Sequence, residues 1–311
     1  MLYQRVLITG ANGLLGQALV ALLSRFAEYD VLATGRDAAP RFSGGSCGYA
    51  PLDITSAPDV RRLFDDFAPD VVVNGAAMTM VDVCEDEREA CWKVNADGVA
   101  LLAKHCQAVG ARLIQVSTDF VFDGEDGPYA ERARPNPVNF YGKSKLAGEN
   151  AARGAGLDDR WAIARTVLLF GTGEGLSRSN FVLWVAGELA QGNPIRVVTD
   201  QWRTPTYAPD LAAGIEKIIR YHKHGIYHLS GRENLSVYDF ACLIAEAFDL
   251  DASLIQPTDA SGFQQRAERP SRTGFITLKA ETELGYKPLA LKEALRHLGQ
   301  RLGLPVAEGR L

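Results

Sequence analysis

The chain has 311 residues, 47% of them hydrophobic, enough to bury a sizeable core as one large domain or two closely joined ones. A net charge of −5 argues against a nucleic-acid surface, and no apolar run approaches membrane-spanning length, so neither nucleic acid nor a membrane is an expected partner. Its five cysteines (Cys47, Cys84, Cys91, Cys106 and Cys242) show no CxxC and no zinc spacing, and reduced thiols fit a cytoplasmic protein.

Met1-Leu2-Tyr3-Gln4-Arg5 runs directly into Arg5-Val6-Leu7-Ile8-Thr9, which reads as a buried strand, so no signal peptide is expected. Gly10-Ala11-Asn12-Gly13-Leu14-Leu15-Gly16 follows as a turn, and apolar spacing predicts a helix over residues 14–26. Glycines between a strand and a helix let backbone N–H groups approach a pyrophosphate, and the helix start adds its positive dipole end. Gly10, Asn12, Gly13, Leu14, Leu15 and Gly16 are therefore candidate dinucleotide-binding residues. A second strand, residues 30–34, ends at Gly35-Arg36-Asp37. Arg36 can pair with a 2′-phosphate and points to NADP, whereas Asp37, an acid suited to ribose hydroxyls, keeps NAD open. Asp53-Ile54 follows a third apolar stretch; its carboxylate can accept the adenine amino group or simply cap a turn.

Residues 71–73 and 112–116 read as further short strands, with helices predicted over 58–67 and 85–109. The small residues of Asn74-Gly75-Ala76-Ala77 let a cofactor lie across the sheet edge, making Ala76 and Ala77 candidates. Cys84 and Cys91 share a helix face and read as buried thiols. Ser117-Thr118-Asp119 closes a strand, and Tyr141-Gly142-Lys143-Ser144-Lys145 lies in a helix predicted over 139–153. The spacing puts Tyr141 and Lys145 on one helix face, where a cation lowers a phenol's pKa from about 10 and yields a proton donor usable near neutrality. Residues 161–165 form another strand. This alternation predicts a parallel sheet covered on both faces.

After Gly171 the rhythm changes. A flexible breaker at 171–175 leads to helices over 180–191, 209–221, 236–248 (with Ser236 as N-cap) and 291–302, and to strands at 195–198 and 226–229. Residues 1–170 are expected to form the cofactor domain and 171–311 mostly a substrate lobe, some segments returning to the first. Arg203, Arg269 and Arg272 lie beside turn-forming prolines and are candidates for binding a substrate diphosphate. Trp202 or Trp184 could face a sugar or base, with a core position expected for Trp184. The histidines show no metal-ligand spacing, and no metal is expected.

As an ordered set, Gly10–Gly16, Asp53, Asn74-Gly75-Ala76-Ala77, Asn95, Ser117-Thr118-Asp119 and Tyr141–Lys145 resemble the extended short-chain dehydrogenase/reductase family over essentially the whole chain. Within it, residues 73–82, 117–124 and 139–149, with Asp200-Gln201, Pro205-Thr206 and Arg269-Pro270, look most like the dTDP-4-dehydrorhamnose reductases. The resemblance implies an α/β fold, a Rossmann-like doubly wound parallel sheet with a smaller C-terminal α/β substrate lobe. It implies NADPH-dependent reduction of the 4-keto group of a nucleotide-linked 6-deoxy sugar, dTDP-4-dehydrorhamnose foremost, by a cytoplasmic protein for which a homodimer is one assembly to expect. Tyr141 would donate the proton, Lys145 would lower its pKa and bind the nicotinamide ribose, and Thr118 would hold the carbonyl oxygen. Asp119 would fix its loop or touch the substrate. Two departures bear on the sugar: Phe120 stands where the family pattern has Tyr, and residues 165–170 lack the tryptophan that the family often sets against the sugar. Another nucleotide-sugar reductase or an epimerase is an alternative. So is a non-catalytic subunit, because residues 225–231 through Arg269-Pro270 resemble the regulatory β subunit of methionine adenosyltransferase.

Overall fold

Strands β1 (Gln4–Thr9), β2 (Tyr29–Gly35), β3 (Gly48–Pro51), β4 (Val71–Asn74), β5 (Arg112–Thr118) and β6 (Trp161–Thr166) are short and largely apolar; the inner ones are covered on both faces, whereas β3, at the sheet's edge, has no buried residue. The later strands are β7 (Leu169–Phe170), β8 (Ile195–Val198), β9 (Trp202–Arg203), β10 (Thr206–Tyr207), β11 (Gly225–His228), β12 (Leu235–Ser236) and β13 (Ile255–Thr258). The helices are α1 (Leu14–Leu23), α2 (Ala57–Phe67), α3 (Val81–Asp86), α4 (Arg88–Trp92), α5 (Gly98–Val109), α6 (Phe140–Gly154), α7 (Phe181–Ala190), α8 (Ala208–Arg220), α9 (Val237–Ala247), α10 (Leu278–Leu284) and α11 (Leu291–Leu302). This computed structural model describes residues 3–263 and 265–304; Met1, Leu2, Gln264 and residues 305–311 lie outside it, and with them the outermost ends of the two expected lobes.

Seven strands form one parallel sheet in the order β11-β6-β5-β4-β1-β2-β3. Side chains alternate between its faces. Val6, Ile8, Val71, Val73 and Ile114 pack with Leu19 and Leu23 of α1 and Leu211 and Ile215 of α8. Leu7, Val72 and Leu113 point the other way, onto Phe64 of α2, Leu102 of α5 and Ala152 of α6. The chain winds outward from β1 in both directions, so the C-terminal ends of β1 and β4 flank a switch point, where open α/β sheets bind ligands.

A second core gathers α7, α9, α11 and the parallel pair β8–β13 around Phe240, Ile244, Val185 and Leu295. The Ser236 hydroxyl accepts the Asp239 N–H at 3.0 Å and caps α9. Strand β11 lies beyond residue 170 yet pairs with β6, so the later half of the chain adds an edge strand to the main sheet. Among the described residues no helix is long and apolar enough to cross a membrane.

The helix expected over 85–109 is instead α3, α4, a π-helical turn at Lys93–Asp97 and α5. The interruption serves Asn95. Its side-chain amide donates to the Met78 carbonyl (2.9 Å) and Ser144 Oγ (3.0 Å) and accepts the Met78 N–H (2.9 Å). Gly148 of α6 packs so closely on the Asn95 carbonyl that a Cβ there would sit 2.3 Å away. The π-turn therefore lets the backbone meet α6 while Asn95 holds the strand-to-helix loop.

Candidate active site

The turn between β1 and α1 is built for close backbone approach. Gly10 has φ +69, and a Cβ there would lie 2.8 Å from the Ala76 nitrogen. A Cβ on Gly16 would meet the Gly10 carbonyl oxygen at 2.4 Å. No side chain caps α1, so its first N–H groups and its dipole end remain available to an anion. Leu14 and Leu15 begin that helix, with Leu15 in the core. Ala76 and Ala77 follow β4, and the Ala76 N–H donates to Thr9 Oγ1 at 3.3 Å. The cradle fits a dinucleotide pyrophosphate.

At the end of β2 the acid is already engaged. Asp37 takes Asn12 Nδ2 at 2.7 Å and Arg41 Nε at 2.8 Å; Arg41, then Asn12, holds its carboxyl below the usual range. Arg36 is exposed and, among the described residues, its guanidinium makes no hydrogen bond or ion pair. That arrangement leaves a free cation and an occupied carboxylate where a ribose 2′ substituent would lie. Arg41 was not legible as a participant, because nothing in the sequence marks a loop arginine as the clamp on Asp37. Asp53 turns one oxygen inward to the Thr55 N–H (2.9 Å) and Oγ1 (2.8 Å), which lower its pKa, and Ile54 is buried against Gly98. The breaker at 171–175 doubles back on α1. The Glu174 backbone exchanges hydrogen bonds with the Gln17 amide at 2.7 and 2.8 Å, and its carboxylate accepts the Ser43 N–H at 2.8 Å.

Thr118 ends β5, and Tyr141 and Lys145 sit one turn apart on α6, capped by Asn139. All three are at least nine-tenths buried. Lys145 Nζ donates to the Val116 carbonyl at 2.8 Å. That carbonyl also accepts Gln115 Nε2 at 2.7 Å, and Gln115 Oε1 in turn accepts Asn74 Nδ2 at 2.7 Å. A polar ladder thus crosses the sheet edge under the ammonium. Burial pulls the Lys145 pKa down to about 8, opposed by the Glu149 carboxylate. Tyr141 departs from the expectation drawn from spacing: its pKa is raised, because burial outweighs the nearby Thr118 hydroxyl, which acts to lower it. The phenol therefore keeps its proton at neutral pH.

The expected diphosphate arginines do not gather. Arg203 is buried, with its N–H groups spent on the carbonyls of Trp202 (2.8 Å), Ser271 (3.1 Å) and Pro270 (2.8 Å), on Gln201 Oε1 (3.3 Å), and facing Asp119 at 3.7 Å. Arg269 forks onto Asp82 at 2.5 and 2.6 Å, which holds that carboxyl down at about 2. Arg272 is exposed over the Trp202 ring, its Cζ 5.7 Å from the centroid. Trp184 is not a core residue as expected but 39% exposed. Asp119 is 3% exposed and bonded to Thr118 and Thr273; burial raises its pKa against the pull of Arg203. Cys84 and Cys91 are buried together beside Tyr141. Among the described residues no cluster of histidine, cysteine and carboxylate side chains is arranged to hold a metal.

The chain is similar to known proteins along nearly its whole length. A family model described as RmlD substrate binding domain matches residues 4–303. A probable low-salt glycan biosynthesis reductase, Agl14 of Haloferax volcanii, is 34% identical over 293 residues, 94% of this chain and 96% of that protein. Methionine adenosyltransferase 2 subunit beta of Mus musculus is 34% identical over 287 residues, 90% of this chain and 82% of that protein. The crystal structure of dTDP-4-dehydrorhamnose reductase from Bacillus anthracis in complex with NADP superposes with a TM-score of 0.85 at 31% identity, covering 96% of this chain and 100% of that one.

Proposed function

The chain belongs to the RmlD substrate binding domain family and is an NAD(P)-dependent oxidoreductase, and on that premise we propose that it reduces the 4-keto group of a nucleotide-linked 6-deoxy sugar with NADPH. Its foremost substrate on this reading is dTDP-4-dehydrorhamnose, giving dTDP-rhamnose. The observation that carries it is the protonated, buried Tyr141 beside Thr118 at the sheet's C-terminal edge, with Lys145 anchored beneath.

NADPH, when bound, supplies the hydride to the carbonyl carbon. Tyr141 gives its proton to the carbonyl oxygen as negative charge develops there, and Thr118 holds that oxygen in place. Lys145 is the group that can return a proton to the phenolate, since its pKa of about 8 lets the ammonium release one near neutrality. Gly10, Asn12, Gly13, Leu14, Leu15 and Gly16 cradle the pyrophosphate, Arg36 meets the 2′-phosphate, Asp53 the adenine, and Ala76 and Ala77 border the cofactor. Arg272, the one of the three expected arginines without a protein acceptor for its guanidinium among the described residues, is the cation for the substrate diphosphate. Residues 1–170 with β11 make the cofactor domain, and most of 171–311 the substrate lobe.

The likeness to the methionine adenosyltransferase subunit supports a second reading, a cofactor-binding subunit without turnover. Assaying a panel of nucleotide ketosugars with NADPH and with NADH separates the two. Oxidation of NADPH by a 4-keto-6-deoxy sugar nucleotide is expected. No turnover on any ketosugar, together with a stoichiometric enzyme partner, would favour the subunit.

A further inference from the structure

We propose that Gln115 is a positioning residue for ketone reduction: it closes a one-directional hydrogen-bond ladder that fixes the Val116 carbonyl on which the Lys145 ammonium rests. The inference rests on the reductase reading above, in which Lys145 returns a proton to Tyr141, and it adds a residue that acts only through Lys145.

Strand register builds the ladder. Thr9 of β1 lies beside Asn74 of β4, and Asn74 beside Gln115 of β5, so their side chains share one face of the sheet near its C-terminal edge. All three are buried, so protein groups rather than bulk water must satisfy them. The two ends set the direction. Val116 offers a carbonyl, which only accepts, so Gln115 turns Nε2 to it (2.7 Å) and leaves Oε1 for Asn74 Nδ2 (2.7 Å). Asn74 Oδ1 then takes the Thr9 hydroxyl proton. At the far end the Ala76 N–H, which only donates, meets Thr9 Oγ1 at 3.3 Å. Neither amide can flip without setting two donors or two acceptors face to face. Ala76 lies against Gly10 in the cofactor turn, so the ladder ties that turn to the lysine's seat.

Lys145 Nζ reaches the same carbonyl at 2.8 Å, which leaves two of its three N–H groups for the phenol and the nicotinamide ribose. The ladder therefore spends no donor that the reaction needs. The ammonium and the Gln115 amide nitrogen are at most two hydrogen bonds apart. The N–H end of that amide is partly positive, so it disfavours the ammonium and shares the carbonyl that would otherwise hold it alone. Gln115 thus keeps the lysine ready to give up a proton. The other titratable groups facing Lys145 do not do this. Glu149 of α6, paired with Arg165, and the thiols of Cys91 in α4 and Cys84 in α3 act to raise the lysine's pKa, and Tyr141, one turn back on α6, is protonated.

The test measures kcat against pH for full-length wild type, Gln115→Met and Gln115→Glu with NADPH and dTDP-4-dehydrorhamnose, with NADPH fluorescence titration as the check on folding. Loss of the Lys145 proton should draw wild-type kcat down on the alkaline side. Gln115→Met removes the opposing dipole and should move that alkaline limb up by about half a pH unit to one unit. Gln115→Glu keeps the length and an acceptor for Asn74 but sets a carboxylate beside the ammonium, and should move the limb up by more than about one unit. KM for the nucleotide sugar should stay within about twofold. A limb that stays in place in Gln115→Met, with kcat unchanged or uniformly lower, would make Gln115 a structural residue only and overturn the inference. If Gln115→Met does not bind NADPH, Gln115→Glu decides by the same criterion. An inactive wild type sinks the reductase reading, and the ladder is then decided by urea unfolding of the cofactor-free proteins, as it is if neither variant binds NADPH. Wild type should gain more stability between about pH 8 and pH 10 than Gln115→Met does, because a higher folded pKa leaves less of the ammonium's penalty to be relieved as pH rises. Equal gains, or the absence of an unfolding transition in the variant, would overturn the inference.

Discussion

Lys145→Met should make the cofactor-free protein more stable while destroying its activity. The ammonium is 5% exposed, and burial takes its pKa from 10.5 to about 8. At about 1.4 kcal/mol per pH unit, holding that charge in the fold costs about 3 kcal/mol near neutrality. Methionine is of similar length and carries no charge. Its substitution forfeits the hydrogen bond to the Val116 carbonyl, worth about 1 kcal/mol, but that carbonyl still accepts Gln115 Nε2 and is not orphaned. Glu149 likewise keeps its two-point pairing with Arg165. The net expected gain is about 2 kcal/mol in urea unfolding at about pH 7. Because the folded pKa lies below the unfolded one, the penalty in wild type is complete below about 8 and fades as pH climbs towards 10.5. The advantage of the variant should therefore shrink nearly to zero by about pH 10. A variant less stable than wild type at neutral pH, or a gain equal at both pH values, would refute the assignment of a buried, destabilised ammonium.

Arg36→Ala should weaken NADPH binding about tenfold in fluorescence titration and leave NADH almost unchanged, since only NADPH carries the 2′-phosphate; an equal loss for both cofactors would place Arg36 elsewhere. Arg165→Met should cost about 3–5 kcal/mol in urea unfolding, because it strands Glu149, whose side chain is 0% exposed, without its partner; a neutral result would contradict the buried ion pair.

The glycine turn, Thr118 and the Tyr141–Lys145 pair were legible because each is a local pattern pinned to a strand end or a helix. What remained hidden depends on contacts distant in sequence. The predicted helix over 85–109 breaks because Asn95 bonds to Met78 and Ser144 and must meet Gly148, none of which periodicity registers. The spacing of Tyr141 and Lys145 identifies a cation near a phenol but says nothing of burial, which reverses the direction of the phenol's pKa. An arginine beside a proline reads as a loose surface cation. Arg269 is instead bound to Asp82, 187 positions away, and Thr273 reaches Asp119 across 154. Trp184 misled in the opposite way: its size suggested the core, yet it lies on a face of α7 that is open to solvent.

The reductase assignment turns on one proton, and the most direct measurement is NADPH oxidation with dTDP-4-dehydrorhamnose by wild type and by Tyr141→Phe. Removing the phenolic oxygen leaves the turn at Gly10–Gly16 untouched, so the variant should bind NADPH as wild type does while kcat falls by about a hundredfold or more. Full turnover by Tyr141→Phe would contradict the proposed acid.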